Sequence, residues 1–330
     1  MKRIFKKILI YLIIVFFVLF CYFFVGSSKP AKEFSFGVVF SQKHAETMGL
    51  NWQETYSALL EDLGVKKIKL ATYWDLIEPE ENVYDFDDLD WQMEKALNYE
   101  ADVVLVLGMK TPRWPECHIP DWAKGLEKEE QQERIIDLVK ETVLRYRENT
   151  SIVMWQVENE PFFPFGECPW VDKDFLKEEI NLVRSLDFKE RPVIISDSGE
   201  GSFWFSAARM GDVVGTTMYK KVWLHQLGIY FTYPFPPVFY QRKAYIIEKL
   251  FQKEVICVEL QAEPWGPELL YTSPLEEQEK SMDLEKFLYN IEFAKNTGFK
   301  EFYLWGAEWW YWMKEVQNNP EIWNEARKFF

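Results

Sequence analysis

The sequence predicts an α/β protein with a single (β/α)₈ (TIM) barrel domain, preceded by an N-terminal transmembrane helix. Between residues 35 and 330, short apolar runs alternate with helical patterns eight times, and no flexible linker interrupts them. Strict alternation of strands and helices predicts a parallel sheet, and eight such units match the length of a closed barrel. Polar residues follow the apolar runs, at the end of a barrel where active sites are built. The predicted division is 1–26 for a membrane anchor or signal peptide, 27–34 for a linker and 35–330 for the barrel domain.

The N-terminal segment carries four basic residues, followed by an uninterrupted apolar run over residues 8–25. This length is at the lower limit for a helix that crosses a bilayer. The basic flank predicts a cytoplasmic N-terminus, which places the barrel outside the cytoplasm. A cleaved signal peptide would instead give a secreted barrel. Because no clear small-x-small cleavage site follows the run, the sequence favours an uncleaved anchor.

The predicted strands are short apolar runs bounded by polar residues. They occupy residues 36–40, 66–71, 103–107, 152–157, 192–196, 213–218, 255–258 and 301–304. The third of them reads VVLVL, a continuous apolar run typical of a strand that is covered on both faces. The fourth ends in an Asn-Glu-Pro sequence, where Pro161 prevents further regular pairing.

The predicted helices lie between these strands. They occupy residues 52–63, 87–99, 128–146, 172–186, 238–251 and 275–296, with a short helix from Pro320 at the end of the chain. Gly64 ends the first of them, since glycine tolerates a left-handed C-terminal turn. Leu89, Met93 and Leu97 share one face of the second. After the sixth strand, the aromatic residues 223–237 predict a structureless lid or binding loop.

The composition limits the classes of partner. A net charge of −15 argues against a nucleic-acid partner, which would need a basic surface. Aromatic residues make up 18% of the chain, with 15 Trp, which is more than a core needs. Some of them are therefore expected to line a surface that stacks on flat ligand faces, and sugars are one candidate.

The cysteines and histidines predict no metal centre and no cofactor. Cys117 and Cys168 fall in Pro-rich loops on the same expected face, where they form either a disulfide in an oxidising compartment or two unpaired thiols. Cys257 lies in an apolar strand and is expected to be a small core residue. The three His are scattered and there is no Cys-x-x-Cys, which argues against structural zinc.

Two strands share the same pattern, an apolar run that ends in an acid. Residues 152–161 read IVMWQVENEP and residues 255–265 read VICVELQAEPW, which puts Glu160 after the fourth strand and Glu259 after the seventh. In a barrel these strand ends face each other across the mouth. We expect the two carboxylates to approach to about 5–5.5 Å, the spacing of a double-displacement glycosidase. Unlike surroundings would give them the different charge states that such a mechanism needs.

These motifs resemble clan A of the glycoside hydrolases, the cellulase- and β-galactosidase-like barrels. The resemblance covers residues 35–330 and implies that Glu160 is the acid/base and Glu259 the nucleophile. It also implies that Asn159 holds the sugar 2-hydroxyl and that Tyr219 hydrogen-bonds the nucleophile. Trp305 would then form the floor of the sugar subsite.

The chain departs from the clan pattern at two positions. Lys69 stands where the clan usually has Arg, so we expect a supporting point charge in place of a bidentate fork. Thr217 stands where the clan has His. Because of these two departures, a catalytically inactive, sugar-binding relative of the clan remains an alternative interpretation.

Three further residues are candidates for substrate contact. Trp74 and Trp265 lie near strand ends, where they either stack on sugars or pack in the core. Glu200 lies between two glycines that let the backbone approach a ligand closely. Extra acids at Glu158 and Glu263 are expected to be structural.

The predicted function is a retaining β-glycoside hydrolase that acts by double displacement on an extracellular oligo- or polysaccharide, without a cofactor. The alternative is a catalytically inactive carbohydrate-binding barrel, and a metal-dependent barrel hydrolase is disfavoured by the few His. Predicted partners are the carbohydrate and, through residues 8–25, the membrane. The aromatic loops at 162–170 and 223–237 would suit either an open cleft or a closed pocket, so the sequence predicts neither the sugar nor endo or exo action, nor the oligomeric state.

Overall fold

Eight parallel strands close into a barrel within residues 2–330, which are the residues that this computed structural model describes. The described residues form ten strands in all, eight in the barrel and two outside it: β1 (Ser35–Val39), β2 (Lys67–Ala71), β3 (Asp102–Leu107), β4 (Ile152–Val157), β5 (Val193–Asp197), β6 (Val213–Met218), β7 (Lys221–Leu224), β8 (Ile229–Thr232), β9 (Glu254–Gln261) and β10 (Glu301–Trp305). The barrel order is β1-β10-β9-β6-β5-β4-β3-β2, and β7 pairs with β8 outside it. The predicted TIM barrel is confirmed.

Most helices lie between successive strands and surround the barrel, whereas the first precedes the barrel and the last two follow its final strand. They are α1 (Lys2–Phe24), α2 (Gln42–Thr47), α3 (Trp52–Glu61), α4 (Trp74–Ile77), α5 (Asp87–Asn98), α6 (Lys128–Tyr146), α7 (Lys173–Leu186), α8 (Phe205–Met210), α9 (Pro237–Phe251), α10 (Leu275–Gln278), α11 (Leu284–Lys295), α12 (Ala307–Glu315) and α13 (Glu321–Ala326). Local sequence sets their ends. The side chain of Asn51 accepts two backbone N–H groups at the start of α3, and Asp172 does the same for α7. Gly64, shortly after α3, has the positive φ of 76° that its position predicts.

Two apolar layers hold the barrel together. The interior is filled by a cluster of buried side chains from the barrel strands, including Val39, Val104, Ile194, Val258 and Tyr303. A larger layer packs the outer faces of the strands against the helices. Because both faces of each strand are covered, the strands read as continuous apolar runs.

The segment predicted as a structureless loop at residues 223–237 is partly a hairpin, so that prediction was wrong. Strands β7 and β8 pair antiparallel, with Trp223 opposite Tyr230. Their rings meet edge to face at 5.0 Å, and Gly228 supplies a positive φ of 62° in the connection. Cross-strand aromatic pairs stabilise such a ribbon.

Two other predicted elements have different bounds. The helix expected over residues 275–296 is broken into α10 and α11, because Asp283 caps a new helix by accepting the backbone N–H of Lys286. Strand β9 runs on to Gln261, so Glu259 lies within a strand and not after it.

The N-terminal apolar helix is present as α1. The segment Ile4–Phe24 is long and apolar enough to cross a membrane, which fits either an anchor or a signal sequence. Most of its side chains are exposed, and its last turn contacts the barrel. Met1 of the predicted segment 1–26, and the side chains of Lys2 and Arg3 in its basic flank, lie outside the described residues.

Candidate active site

A tight turn at the end of β4 delivers the first carboxylate. Glu158 and Glu160 have positive φ values of 57° and 43°, a left-handed conformation that costs free energy for residues other than glycine. The Glu158 carboxylate accepts the backbone N–H groups of Met109 at 2.8 Å and Lys110 at 2.6 Å. These bonds hold the turn, so Glu158 is structural, as the sequence predicts.

Glu160 is held at the mouth of the barrel by residues of the next two strands in the barrel order, β5 and β6. Its backbone N–H donates to Ser196 Oγ at 2.8 Å. Its Oε1 accepts from Thr217 Oγ1 at 3.2 Å. Thr217, which replaces the clan histidine, therefore contacts the predicted acid/base directly.

Glu259 occupies an irregular stretch of β9. It lies opposite Thr217 of β6, and the register shifts immediately before this pair. Such a bulge re-aims a side chain. The Glu259 carboxylate accepts from Lys69 Nζ at 3.0 Å and from the Tyr219 hydroxyl at 3.0 Å. With 2% exposure, this carboxylate is buried and ion-paired.

Lys69 joins two of the predicted site residues. Its Nζ lies 3.0 Å from Glu259 Oε1 and 3.5 Å from Asn159 Oδ1, and its side chain is fully buried. Gln156 also donates to Asn159 Oδ1, at 3.1 Å. The Asn159 amide is therefore oriented with its oxygen toward Lys69 and Gln156.

The two predicted catalytic carboxylates have different electrostatic surroundings. Burial, together with the negative charges of Glu259 and Glu116, raises the pKa of Glu160 well above its ordinary value. Burial and the same Glu259 charge raise the pKa of Tyr219 well above 10, so its hydroxyl stays protonated and donates. The arrangement thus favours a protonated Glu160 beside a Glu259 that is paired with a cation and a neutral donor.

A third buried carboxylate, Glu116, was not predicted. It lies in the loop after β3, and its Oε2 accepts from Asn159 Nδ2 at 3.3 Å. Burial and the charge of Glu259 raise the pKa of Glu116 to about 8. An acid beside Cys117 in a loop that follows a strand was the signal available in the sequence. The positive φ of 73° at Glu116 could not be predicted from the sequence.

Trp305 has one ring face covered by a cation. The guanidinium carbon of Arg113 lies 4.1 Å from the Trp305 ring centroid, and the indole N–H donates to Glu263 Oε1 at 2.7 Å. Arg113 also donates to Glu263 and to Glu308. Although burial opposes ionisation, the charges of Arg113 and His44 hold the pKa of Glu263 at about 2. This network fixes Trp305, which is 7% exposed.

Glu200 lies behind Tyr219. Its Oε1 accepts the backbone N–H of Tyr219 at 3.0 Å and the hydroxyl of Tyr240 at 2.8 Å. Burial raises the pKa of Glu200 to about 7. These bonds support Tyr219, and the substrate contact of Glu200 stays a prediction.

The two candidate tryptophans have different places. Trp74 is fully buried, donates to Glu78 Oε2 at 2.8 Å and packs edge to face on Trp122. Because no face of its ring is open, the prediction that Trp74 contacts substrate is corrected to a core role. Trp265 is half-buried and lies 5.1 Å from the Tyr219 ring, so it borders the site.

Cys117 and Cys168 form a disulfide, one of the two alternatives that the sequence left open. The bond joins the loop after β3, which carries Arg113 and Glu116, to the loop after β4. Cys257 is a buried, free thiol in β9.

Comparison with known proteins agrees with the fold. The family model described as Beta-galactosidase, of glycoside hydrolase family 42, matches residues 44–135. This segment includes Lys69 and Glu116 and ends before Glu160. No curated protein has a sequence that matches this chain.

Several solved structures share the fold at low sequence identity. The β-galactosidase of the Antarctic haloarchaeon Halorubrum lacusprofundi is 15% identical, with a TM-score of 0.55 over 82% of this chain and 52% of that one. GH5_18 from Bifidobacterium longum is 11% identical, with a TM-score of 0.60 over 83% and 70%. A GH10 endo-β-1,4-xylanase from Gloeophyllum trabeum is 17% identical, with a TM-score of 0.55 over 86% and 87%.

The resemblance to clan A glycoside hydrolases is confirmed by the family model and by these neighbours of families 5, 10 and 42. The glycoside hydrolase fold is thus supported. The chain spans about half the length of the haloarchaeal β-galactosidase, 52% of it.

Proposed function

We propose that the protein is a retaining β-glycoside hydrolase that acts by double displacement, with Glu160 as acid/base and Glu259 as nucleophile. The observation that carries the proposal is the pair of buried carboxylates in opposite surroundings. Glu160 has a raised pKa and accepts from a threonine hydroxyl, whereas Glu259 is paired with Lys69 and Tyr219. A carboxyl group that favours its proton suits the acid/base, and a carboxylate held by a cation and a hydroxyl donor suits the nucleophile.

The reaction proceeds in two steps. In the first, a Glu259 oxygen attacks the anomeric carbon and forms a glycosyl ester, while the Glu160 proton passes to the glycosidic oxygen as its bond breaks. In the second, the ionised Glu160 takes a proton from water. The water oxygen attacks the anomeric carbon and releases the Glu259 carboxylate.

The remaining residues bind and orient the sugar. Asn159 keeps one amide N–H beyond its bond to Glu116, which suits the 2-hydroxyl. Trp305, held by Arg113 and Glu263, forms the floor of the sugar subsite, and Trp265 borders it next to Tyr219. Stacking on these rings favours a sugar with an apolar face.

The substrate class is carbohydrate, an oligo- or polysaccharide outside the cytoplasm. The neighbours support this class, because GH5_18 from Streptomyces cattleya is described in complex with GlcNAc and, as a single-residue variant, with Manβ1-4GlcNAc. An activity assay on different sugars identifies the one that this chain prefers.

The proposed location is extracytoplasmic, with residues 8–25 as an uncleaved anchor, 27–34 as linker and 35–330 as the catalytic domain. The Cys117–Cys168 disulfide supports an oxidising compartment. Membrane fractionation and intact mass of the mature chain test this proposal. A soluble product that begins after residue 25 would contradict it.

The activity is tested with a panel of aryl β-glycosides on the wild type, Glu160→Ala and Glu259→Ala. We expect turnover of at least one sugar by the wild type and its loss in Glu259→Ala. If no sugar is cleaved while sugars still bind in calorimetry, the protein is a carbohydrate-binding barrel and the proposal fails.

A further inference from the structure

The last turn of α1 contacts the barrel through aromatic rings. The Phe23 ring lies 5.7 Å from Phe203 and 5.8 Å from Phe239. The Phe24 ring lies 6.0 Å from Phe235 and 5.4 Å from Phe239. We call these five residues the aromatic collar. The apolar helix therefore meets the domain at one defined place.

The collar lies at the active-site end of the barrel. Phe203 is in the loop between β5 and α8, Phe235 comes just before α9, and Phe239 is in the first turn of α9. In a parallel barrel, segments that follow strands and precede helices lie at the carboxyl end of the strands. Glu160 and Glu259 belong to the same end.

The linker is consistent with this placement. After the collar, the backbone of Lys29 exchanges hydrogen bonds with the Gln241 side chain of α9, at 3.3 and 2.7 Å. The chain then enters β1 at Ser35, which is at the opposite end of the barrel. The linker thus runs along the outside of α9 from the active-site end to the other end.

A row of rings leads from the site to the collar. Tyr233 stacks on Phe235 at 6.0 Å, and Phe235 contacts Phe24. The backbone N–H of Tyr233 donates to the carbonyl of Lys220 at 2.9 Å, and Lys220 directly follows Tyr219 of the site. Direct contacts therefore connect the residue after Tyr219 to the last turn of α1.

The surface beside the collar has the composition of a membrane interface. Phe203 is 52% exposed and stacks on Phe205, which is 37% exposed. The guanidinium of Arg209 lies over Phe251, and that of Arg242 lies over Tyr22. Exposed aromatic rings with neighbouring cations are favoured at the boundary between lipid headgroups and acyl chains, even in a chain of net charge −15.

We propose that the exposed Phe203 of the collar and the adjoining Phe205 rest on the bilayer, so that the active-site mouth opens at the membrane surface and the substrate is a glycan carried on a membrane lipid. This inference rests on the proposed hydrolase function and on the uncleaved anchor. Confining an enzyme and its substrate to one surface raises their effective concentration. This raises the rate only if the active site can reach the substrate while the enzyme is bound to that surface. The collar supplies that geometry.

The test uses the full chain in vesicles of phosphatidylcholine with a minor share of phosphatidylglycerol. Two substrates carry the same sugar, one as a water-soluble ethylene glycol glycoside and one as a hexadecyl glycoside in the vesicles. We expect kcat/KM for the hexadecyl glycoside to be about tenfold higher or more, because both partners share one surface. The ratio of the two constants is the readout.

The double variant Phe203→Ser/Phe205→Ser should lose most of this ratio, with the rate on the soluble glycoside unchanged. Phe188→Ser is the matched control, because Phe188 is 57% exposed and precedes β5 at the other end of the barrel. It should keep the wild-type ratio. A wild-type ratio near one, or an unchanged ratio in the double variant, would overturn the inference.

A second measurement separates this inference from the proposed function. Vesicles that contain a phosphatidylcholine with a photoreactive headgroup are irradiated, and the labelled peptides are mapped by mass spectrometry. We expect label around Phe203 and Phe235 and little around Phe188. Equal labelling of all three would overturn the placement, whether or not any sugar is cleaved. Labelling as expected without turnover of any sugar would overturn the proposed membrane-carried substrate together with the hydrolase function.

Discussion

Lys69 Nζ lies 3.0 Å from Glu259 Oε1, and both side chains are buried. A buried carboxylate that loses its only cation is left without charge compensation, which typically costs about 3–5 kcal/mol of stability. We therefore predict that Lys69→Met lowers both the unfolding midpoint and kcat/KM, the latter by about a hundredfold or more. Lys69→Arg should retain part of the activity.

The matched control is Lys67→Met on the same strand. Lys67 pairs with Glu301 and is partly exposed, so its ion pair is screened by water. This variant should keep wild-type kcat/KM. Equal losses in Lys67→Met and Lys69→Met would show that strand β2 tolerates no such change and would contradict the specific role of Lys69.

Glu160 is expected to set the alkaline limb of the activity profile. Since its pKa is raised, the proton donor persists to higher pH than an ordinary carboxyl group and is lost as pH rises through that pKa. We predict that Glu160→Gln removes this limb and lowers kcat/KM by about 10²–10⁴ for a poor leaving group. For a dinitrophenyl glycoside, which needs no proton, formation of the glycosyl ester should change little. A similar loss with both leaving groups would argue against the acid/base role.

Glu116 makes stability depend on pH. Its folded pKa of about 8 exceeds the ordinary 4.5, so the stability it contributes is full below about pH 4.5 and is lost as pH rises to about 8. We predict that Glu116→Gln becomes more stable relative to wild type across this window, with a slope on the order of 1 kcal/mol per pH unit. Urea unfolding at several pH values measures this difference. The exposed Glu268→Gln is the control, and a slope shared by both variants would contradict the account.

The disulfide should hold the loop that carries Arg113 and Glu116. Removal of a bond that closes a loop of 51 residues typically costs roughly 2–4 kcal/mol. We predict that Cys117→Ala/Cys168→Ala lowers both thermal stability and activity. Dithiothreitol should reproduce the loss in the wild type and leave the double variant unchanged. An unaltered unfolding temperature would show that other contacts hold the loop.

Much of the site was predictable because a barrel brings strand ends together. The sequence shows an acidic residue at the end of two apolar runs. Numbering the predicted strands then places Glu160 and Glu259 at the same end of the barrel. The role of Tyr219 was implied by the clan resemblance, and the structure puts its hydroxyl on Glu259. Lys69, a departure from the clan pattern, takes up a direct ion pair with Glu259.

The rest depended on geometry that residue types do not encode. Glu116 reaches Asn159 through a loop with positive φ values at Arg113 and Glu116. Trp74 has the same residue type as Trp265, but packing covers both faces of its ring. The hairpin β7–β8 was missed because aromatic content alone does not reveal cross-strand pairing.

The most direct test of the central claim is the product formed by Glu259→Ala in the presence of azide. If Glu259 is the nucleophile, azide enters the space left by its carboxylate and attacks the anomeric carbon from the same side. We predict restored turnover of an aryl β-glycoside with the α-glycosyl azide as product, identified by the anomeric proton coupling in NMR. A β-glycosyl azide from this variant would contradict the account and would exchange the roles of Glu160 and Glu259.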